Sequence, residues 1–160
     1  MCSLTQTFDP TRHDEGDSGF GPVSAELFEG ATDAASNSST IYSISPGDTF
    51  NGVIGFNGDT DWIAIEMTEG QSYTISLNGV TLFDPFLALF NPSGSFVTLN
   101  DDSGGSLNSE LTYTATQTGT FFIEASSFDF FDTGSYVLQV NAVEITPPPL
   151  GTLDDLADFL

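Results

Sequence analysis

Residues 71–79, QSYTISLNG, carry the pattern that decides the fold: Tyr73, Ile75 and Leu77 alternate with Thr74 and Ser76, and Asn78-Gly79 closes the run. An apolar and polar alternation of period two belongs to a strand with one face in a core and one in water. Outward from it the same texture recurs. Leu111, Tyr113 and Ala115 alternate with Thr112 and Thr114, and Tyr136, Leu138 and Val140 repeat the pattern. Further short segments at 48–56, 61–67, 86–90, 95–100 and 120–125 are separated by Pro46-Gly47, Asn57-Gly58, Glu69-Gly70, Asn91-Pro92-Ser93-Gly94 and Thr118-Gly119. Each separator is a turn signal, because Gly and Asn tolerate positive φ and Pro presets its own. Eight or nine short strands at this spacing, with no helical stretch between them, predict an all-β antiparallel β-sandwich or jelly roll.

The flanks differ in texture. Residues 1–39 are rich in Ser, Thr, Asp, Gly and Ala, a composition that offsets its own ordering entropy poorly, and they are expected to form a largely disordered leader. The sandwich is expected over 40–142. A Pro-rich linker at 143–151 contains Pro147, Pro148 and Pro149 and favours extended polyproline II. Residues 152–160 read as the start of a helix leading to a further domain, with Thr152 as N-cap, Asp154 and Asp155 in the first turn, and Leu153, Leu156, Ala157 and Leu160 on one face.

Charge narrows the function. The chain of 160 residues has 23 Asp and Glu against one basic residue, Arg12, for a net charge of −22. Such a surface repels phosphates and anionic headgroups, so nucleic acid and membrane surfaces are excluded as partners. The absence of lysine removes Schiff-base and P-loop chemistry. One histidine, His13, and one cysteine, Cys2, cannot build a self-contained zinc centre. The N-terminus has neither a basic nor an apolar signal region, which predicts export, if any, by a route other than a Sec signal peptide. Nucleophilic catalysis by Cys2 or a serine with His13 lacks a third orienting group.

Oxygen ligands are abundant instead. Asp59 and Asp61 precede one strand, and Asn100, Asp101 and Asp102 open a Gly-rich loop that ends at Asn108. Calcium takes six to eight oxygens from carboxylates, amides and carbonyls, and it matches this set. The same residues also suit turn capping through their own backbone. Asp84, before Pro85, is an outer ligand or a turn residue. Trp62 and the run Phe128, Asp129, Phe130, Phe131 offer an aromatic binding surface for protein or glycan, against which stands core packing of Trp62 beside Ile63, Ile65 and Met67 and of at least one ring of the run.

Three segments together resemble the bacterial pre-peptidase C-terminal domain: GDTDWIAIEMTEGQSYTISL at 58–77, DPFLALFNPSGSFVTLNDDSGGSLNSELTYTA at 84–115, and TGTFFIEA at 118–125 followed by TGSYVLQV at 133–140. The flanks, MCSLTQTFDPTRH and GTLDDLADFL, are similar to an arrangement that leads into a serralysin-like zinc metalloprotease. The resemblance implies a secreted, extracellular, non-catalytic β-sandwich that assists a downstream or partner metalloprotease through substrate or surface binding, stability or latency. Under latency, the Cys2 thiolate would cap the zinc of that protease, whereas read by itself Cys2 is a free thiol. A stand-alone extracellular module for a protein or polysaccharide is the alternative. The chain itself lacks the H-E-x-x-H helix of such a protease and the nonapeptide calcium repeats that accompany it.

Overall fold

The structure is a computed structural model and describes residues 24–144. Cys2, His13, most of the 143–151 linker and the 152–160 segment lie outside the described residues. Nine strands are present: β1 (Glu26–Phe28), β2 (Thr49–Ile54), β3 (Asp61–Met67), β4 (Ser72–Gly79), β5 (Pro85–Phe90), β6 (Phe96–Asn100), β7 (Ser109–Thr114), β8 (Gly119–Ser127) and β9 (Gly134–Ala142). They form a five-stranded sheet in the order β1-β2-β9-β4-β7 and a four-stranded sheet in the order β3-β8-β5-β6. All-β sandwich architecture follows, as the alternation predicts.

The core forms where the inner faces meet. Phe50 and Ile54 of β2, Tyr73, Ile75 and Leu77 of β4, and Tyr136, Leu138 and Val140 of β9 face Ile63, Ile65 and Met67 of β3, Leu87 and Leu89 of β5, and Phe121 and Ile123 of β8. Register keeps the two faces distinct: Ile75 is opposite Leu111 on one side and Val140 on the other, so three apolar side chains make one inward row. A slip by one residue would turn every one of them to water.

The first strand has no alternation to announce it. β1 pairs with β2 in parallel, Leu27 opposite Phe50. The pairing is locked by Ala25 N donating to Asp48 Oδ1 at 2.7 Å and Glu29 N donating to the Asn51 carbonyl at 2.8 Å. Residues 31–44 then cross to the other sheet, where Ala64 N donates to the Tyr42 carbonyl, Ile44 N to the Ala64 carbonyl, and Trp62 N to the Ala35 carbonyl. Residues 24–39, the described part of the segment that composition assigns to a leader, therefore extend the edge of β2 and, together with 40–44, cover the exposed edge of β3, which blunts templates for unwanted strand pairing.

Trp62 points away from Ile63, Ile65 and Met67. It lies on the outer face of the four-stranded sheet, and it is nevertheless only 8% exposed. Its ring stacks on Phe90 with centroids 4.2 Å apart and leans on Phe122, while Nε1 donates to Glu124 at 2.8 Å. This is a packed tryptophan with its polar atom satisfied, not an open binding platform.

Gly52 is required by close approach, since a Cβ there would sit 2.3 Å from Cζ of Tyr136, whose ring is fully buried and cannot retreat. Gly52→Ala is expected to lower stability by about 2–3 kcal/mol through overpacking. Gly70→Ala, at a positive φ with open space around it, should lose only about 1 kcal/mol. Urea unfolding of the two variants beside the parent checks the order.

Candidate metal centre

Asp61 opens β3, opposite Ala125 of β8, and its side chain enters the core with no exposed surface. Oδ2 accepts a hydrogen bond from the Tyr136 hydroxyl at 2.8 Å, and Oδ1 has no donor. A buried carboxylate oxygen without a partner is costly as an ion. Desolvation accordingly pushes the Asp61 carboxyl up to about 8, against the lowering effect of Tyr136 and with help from the nearby charges of Glu29, Asp59 and Asp33. The same burial, and the Asp61 charge, push the Tyr136 phenol well above its ordinary value.

Two further carboxylates converge on it from the N-terminal segment. Carboxylate oxygens of Glu29, Asp33 and Asp61 all lie within 4.8 Å of one another. Glu29 is held by Ala34 N donating to Oε1 at 2.9 Å and Val53 N donating to Oε2 at 2.8 Å, and burial raises its carboxyl despite those bonds. Asp33 is exposed at the rim of an open cleft of about 450 Å³ that Glu29, Asn51, Val53 and Tyr136 also line. Asp59, two residues before Asp61, is turned by its own loop, with Gly55 N donating to Oδ2 at 2.6 Å. Desolvation first and the charge of Asp33 later raise its carboxyl too.

Three carboxylates at this separation fit a hard divalent cation. Ligand oxygens at about 2.3–2.6 Å from calcium stand at most roughly 5 Å apart across the shell, and the 4.8 Å limit lies inside that span. The orphaned Oδ1 of Asp61 supplies the electrostatic reason, because a cation would stabilise the ionised form that burial disfavours.

The sequence-derived ligands divide into two groups. Asp61 belongs with Glu29 and Asp33, and Asp59 stands beside them with its carboxylate held by its own loop. Asn100 shares their row of the sheet, through Asp61 opposite Ala125, Ala125 opposite Leu87, and Leu87 opposite Asn100, three strand spacings or roughly 14 Å away. One ion cannot hold both ends. Asn100 Oδ1 instead accepts from Glu110 N at 3.0 Å, and Asn108 Oδ1 accepts from Gly79 N at 3.0 Å, so both amides support the backbone. The Asp84 carboxyl is raised by desolvation first and then by the charges of Asp101 and Asp102, and Oδ1 of Asp84 and of Asp101 are buried without a hydrogen-bond partner, as Oδ1 of Asp61 is. Sequence reasoning missed Glu29 and Asp33 because neither sits in a motif. The available signal was an acidic residue at each end of the five residues from Glu29 to Asp33.

Phe128, Phe130 and Phe131 are 63%, 63% and 70% exposed. None of the three enters the core, contrary to the expectation for the run, because the loop from β8 to β9 crosses between the sheets at the end of the sandwich rather than over its interior.

Residues 59–127 match the family of the bacterial pre-peptidase C-terminal domain, a non-catalytic domain. The match runs from Asp59 through β8 and leaves Glu29, Asp33 and Tyr136 outside it. Among solved structures, the pre-peptidase C-terminal domain of a collagenase from Bacillus anthracis superposes with a TM-score of 0.53 at 19% identity, over 62% of this chain and 93% of that one. CorA, a surface-associated copper-binding protein important in copper acquisition by Methylomicrobium album BG8, superposes with a TM-score of 0.51 at 10% identity, over 64% of this chain and 98% of that one. At these identities the likeness is one of fold. No curated protein matches the chain.

The raised carboxyls set the sign of the pH dependence. Asp61 titrates near 3.8 when unfolded and near 8 when folded, so across that window the folded state binds more protons and stability falls as pH rises. Glu29 and Asp59 act in the same direction. In a chelator, stability is expected to decline from about pH 4 to pH 8, and Asp61→Asn should flatten the decline. Thermal melts at constant ionic strength across that range provide the measurement.

Proposed function

We propose that this chain is a calcium-stabilised, non-catalytic accessory sandwich of a secreted bacterial peptidase. The observation that carries the calcium reading is the fully buried Asp61, with one oxygen lacking a donor and the Glu29 and Asp33 carboxylates beside it. The pre-peptidase C-terminal match over 59–127 supports the accessory role. Secretion and a downstream or partner metalloprotease are part of this proposal and rest on the same family resemblance.

The cation would join parts that are distant in sequence. Glu29 and Asp33 come from the segment crossing the open side of the sandwich, Asp61 from the start of β3, and Tyr136 from β9. Binding there would tie the N-terminal segment to both sheets. The folded state alone assembles these ligands, so binding raises stability by RT ln(1 + [L]/Kd), about 2.7 kcal/mol at 100 times Kd. Calcium is preferred to magnesium because Tyr136 and the sheet backbone constrain Asp61, while magnesium demands near-ideal octahedral geometry and sheds water reluctantly. Among the described residues no helix is long and apolar enough to cross a membrane.

Millimolar calcium is expected to raise the melting temperature more than magnesium or sodium chloride of matched ionic strength, and Asp61→Asn or Asp33→Asn should abolish the difference. Equal effects of the three salts would show a merely screened acidic surface. Casein assays of the purified chain are expected to show no cleavage with or without added zinc, and chelator-sensitive cleavage would overturn the accessory reading.

A further inference from the structure

A second feature stands at the same end of the sandwich, on residues other than Glu29, Asp33 and Asp61. Five phenylalanines are largely exposed there: Phe56 at 57%, Phe83 at 72%, and Phe128, Phe130 and Phe131. They sit on three loops that the backbone locks together. Gly58 N donates to the Phe130 carbonyl at 2.8 Å, and Phe128 N donates to the Asp84 carbonyl at 2.9 Å. The Phe130 ring lies over Gly58, where a Cβ would be 2.2 Å from it, and it meets Phe131 edge to face with centroids 5.5 Å apart. The rings are therefore presented on a fixed frame. Between the first and third loops is a cleft of about 300 Å³ whose lining includes Phe128, Phe130, Asp129 and Asp132, with Asp59 at its side toward Asp61.

We propose that this loop end docks a lysine- or arginine-bearing segment of another polypeptide, with the cationic groups on the faces of Phe128, Phe130 and Phe131 and against the carboxylates of Asp129 and Asp132. Charge complementarity selects the occupant. Aromatic faces are negative and attract ammonium and guanidinium groups, and the aliphatic stems of Lys and Arg cover exposed rings while their heads reach carboxylates. No residue from 24 to 144 is Lys or Arg, so no cation of the described sandwich competes for the surface. A second copy of a chain at −22 is repelled, as are anionic lipids and nucleic acids. A neutral polymer would leave the carboxylates unused. The inference goes beyond the accessory reading and does not require calcium.

The test is isothermal titration of the full chain with a twelve-residue peptide alternating Arg and Lys with Gly and Ser, beside peptides carrying Glu or Gln at the cationic positions. Titrations are run at physiological salt, both in calcium and in a chelator, so that loss of the cation site leaves the peptide result readable. The cationic peptide is expected to bind and the other two are not. Phe128→Ser with Phe131→Ser keeps the net charge and should weaken binding by about tenfold with the melting temperature unchanged. Glu66→Gln with Glu69→Gln, at the far end of β3, removes two charges and should weaken it by less than about twofold. Amide shifts on peptide addition should concentrate in 55–60, 82–85 and 127–133. Undiminished binding by the phenylalanine variant, equal binding of the Gln peptide, shifts spread over the surface, or self-association through these loops would each overturn the proposal.

Discussion

A carboxylate sealed between two β-sheets organises this molecule. Asp61 has no exposed surface and one hydrogen bond, from Tyr136 on the opposite sheet. Removed from water, it must hold a proton or face a cation, because an isolated buried anion is too costly to persist. The rest of the neighbourhood answers to that requirement. Gly52 clears room for the Tyr136 ring, and Glu29 and Asp33 bring their oxygens to the Asp61 carboxylate. A proton on Asp61 answers that electrostatic problem, and the proposed cation would answer the same one.

The N-terminal segment acquires its importance from the same place. Its pairing with β2 and its backbone bonds to the β3 edge close one side of the sandwich, and its two carboxylates arrive over Asp61 as a consequence of that path. Edge protection and the convergence of the three carboxylates are one structural event. The opposite disposition holds for the phenylalanines. Phe121 and Phe50 are core, Phe90 and Phe122 pack around Trp62 on the outer face, and Phe56, Phe83, Phe128, Phe130 and Phe131 stand in water on loops. Residue type alone does not separate these groups. Strand position does, since alternation assigns a ring to the core or the outer face and a loop assigns it to neither.

The matched segment, 59–127, holds Asp59, Asp61 and the turn aspartates but not Glu29 and Asp33, whose carboxylates meet Asp61. The matched stretch and the carboxylate cluster therefore have different sources: one is a contiguous run of strands, the other arises from contacts between that run and both flanks. CorA and the collagenase domain share the sandwich at low identity, which is consistent with a scaffold whose sites are carried by loops and edges.

What the sequence by itself determined was the strand framework. The alternation at Tyr73 to Leu77, Leu111 to Ala115 and Tyr136 to Val140, with glycine turns between short apolar runs, is local information, and period two translates directly into which side chains face the core. It also determined the strong acidity of the chain, and it singled out Asp61, which the structure places in the carboxylate cluster with Glu29 and Asp33. Only tertiary structure decided which carboxylates meet. β1 has three residues and no period, and its pairing with β2 spans more than twenty positions, so nothing local announces it. The Asp61–Tyr136 bond spans 75 positions, and Asn100, though it resembles a ligand in sequence, falls three strands away in the same row. The physical reason is that a strand pattern is written along the chain, whereas a metal site is written across it, by sheet order and by the path of a segment that covers an edge.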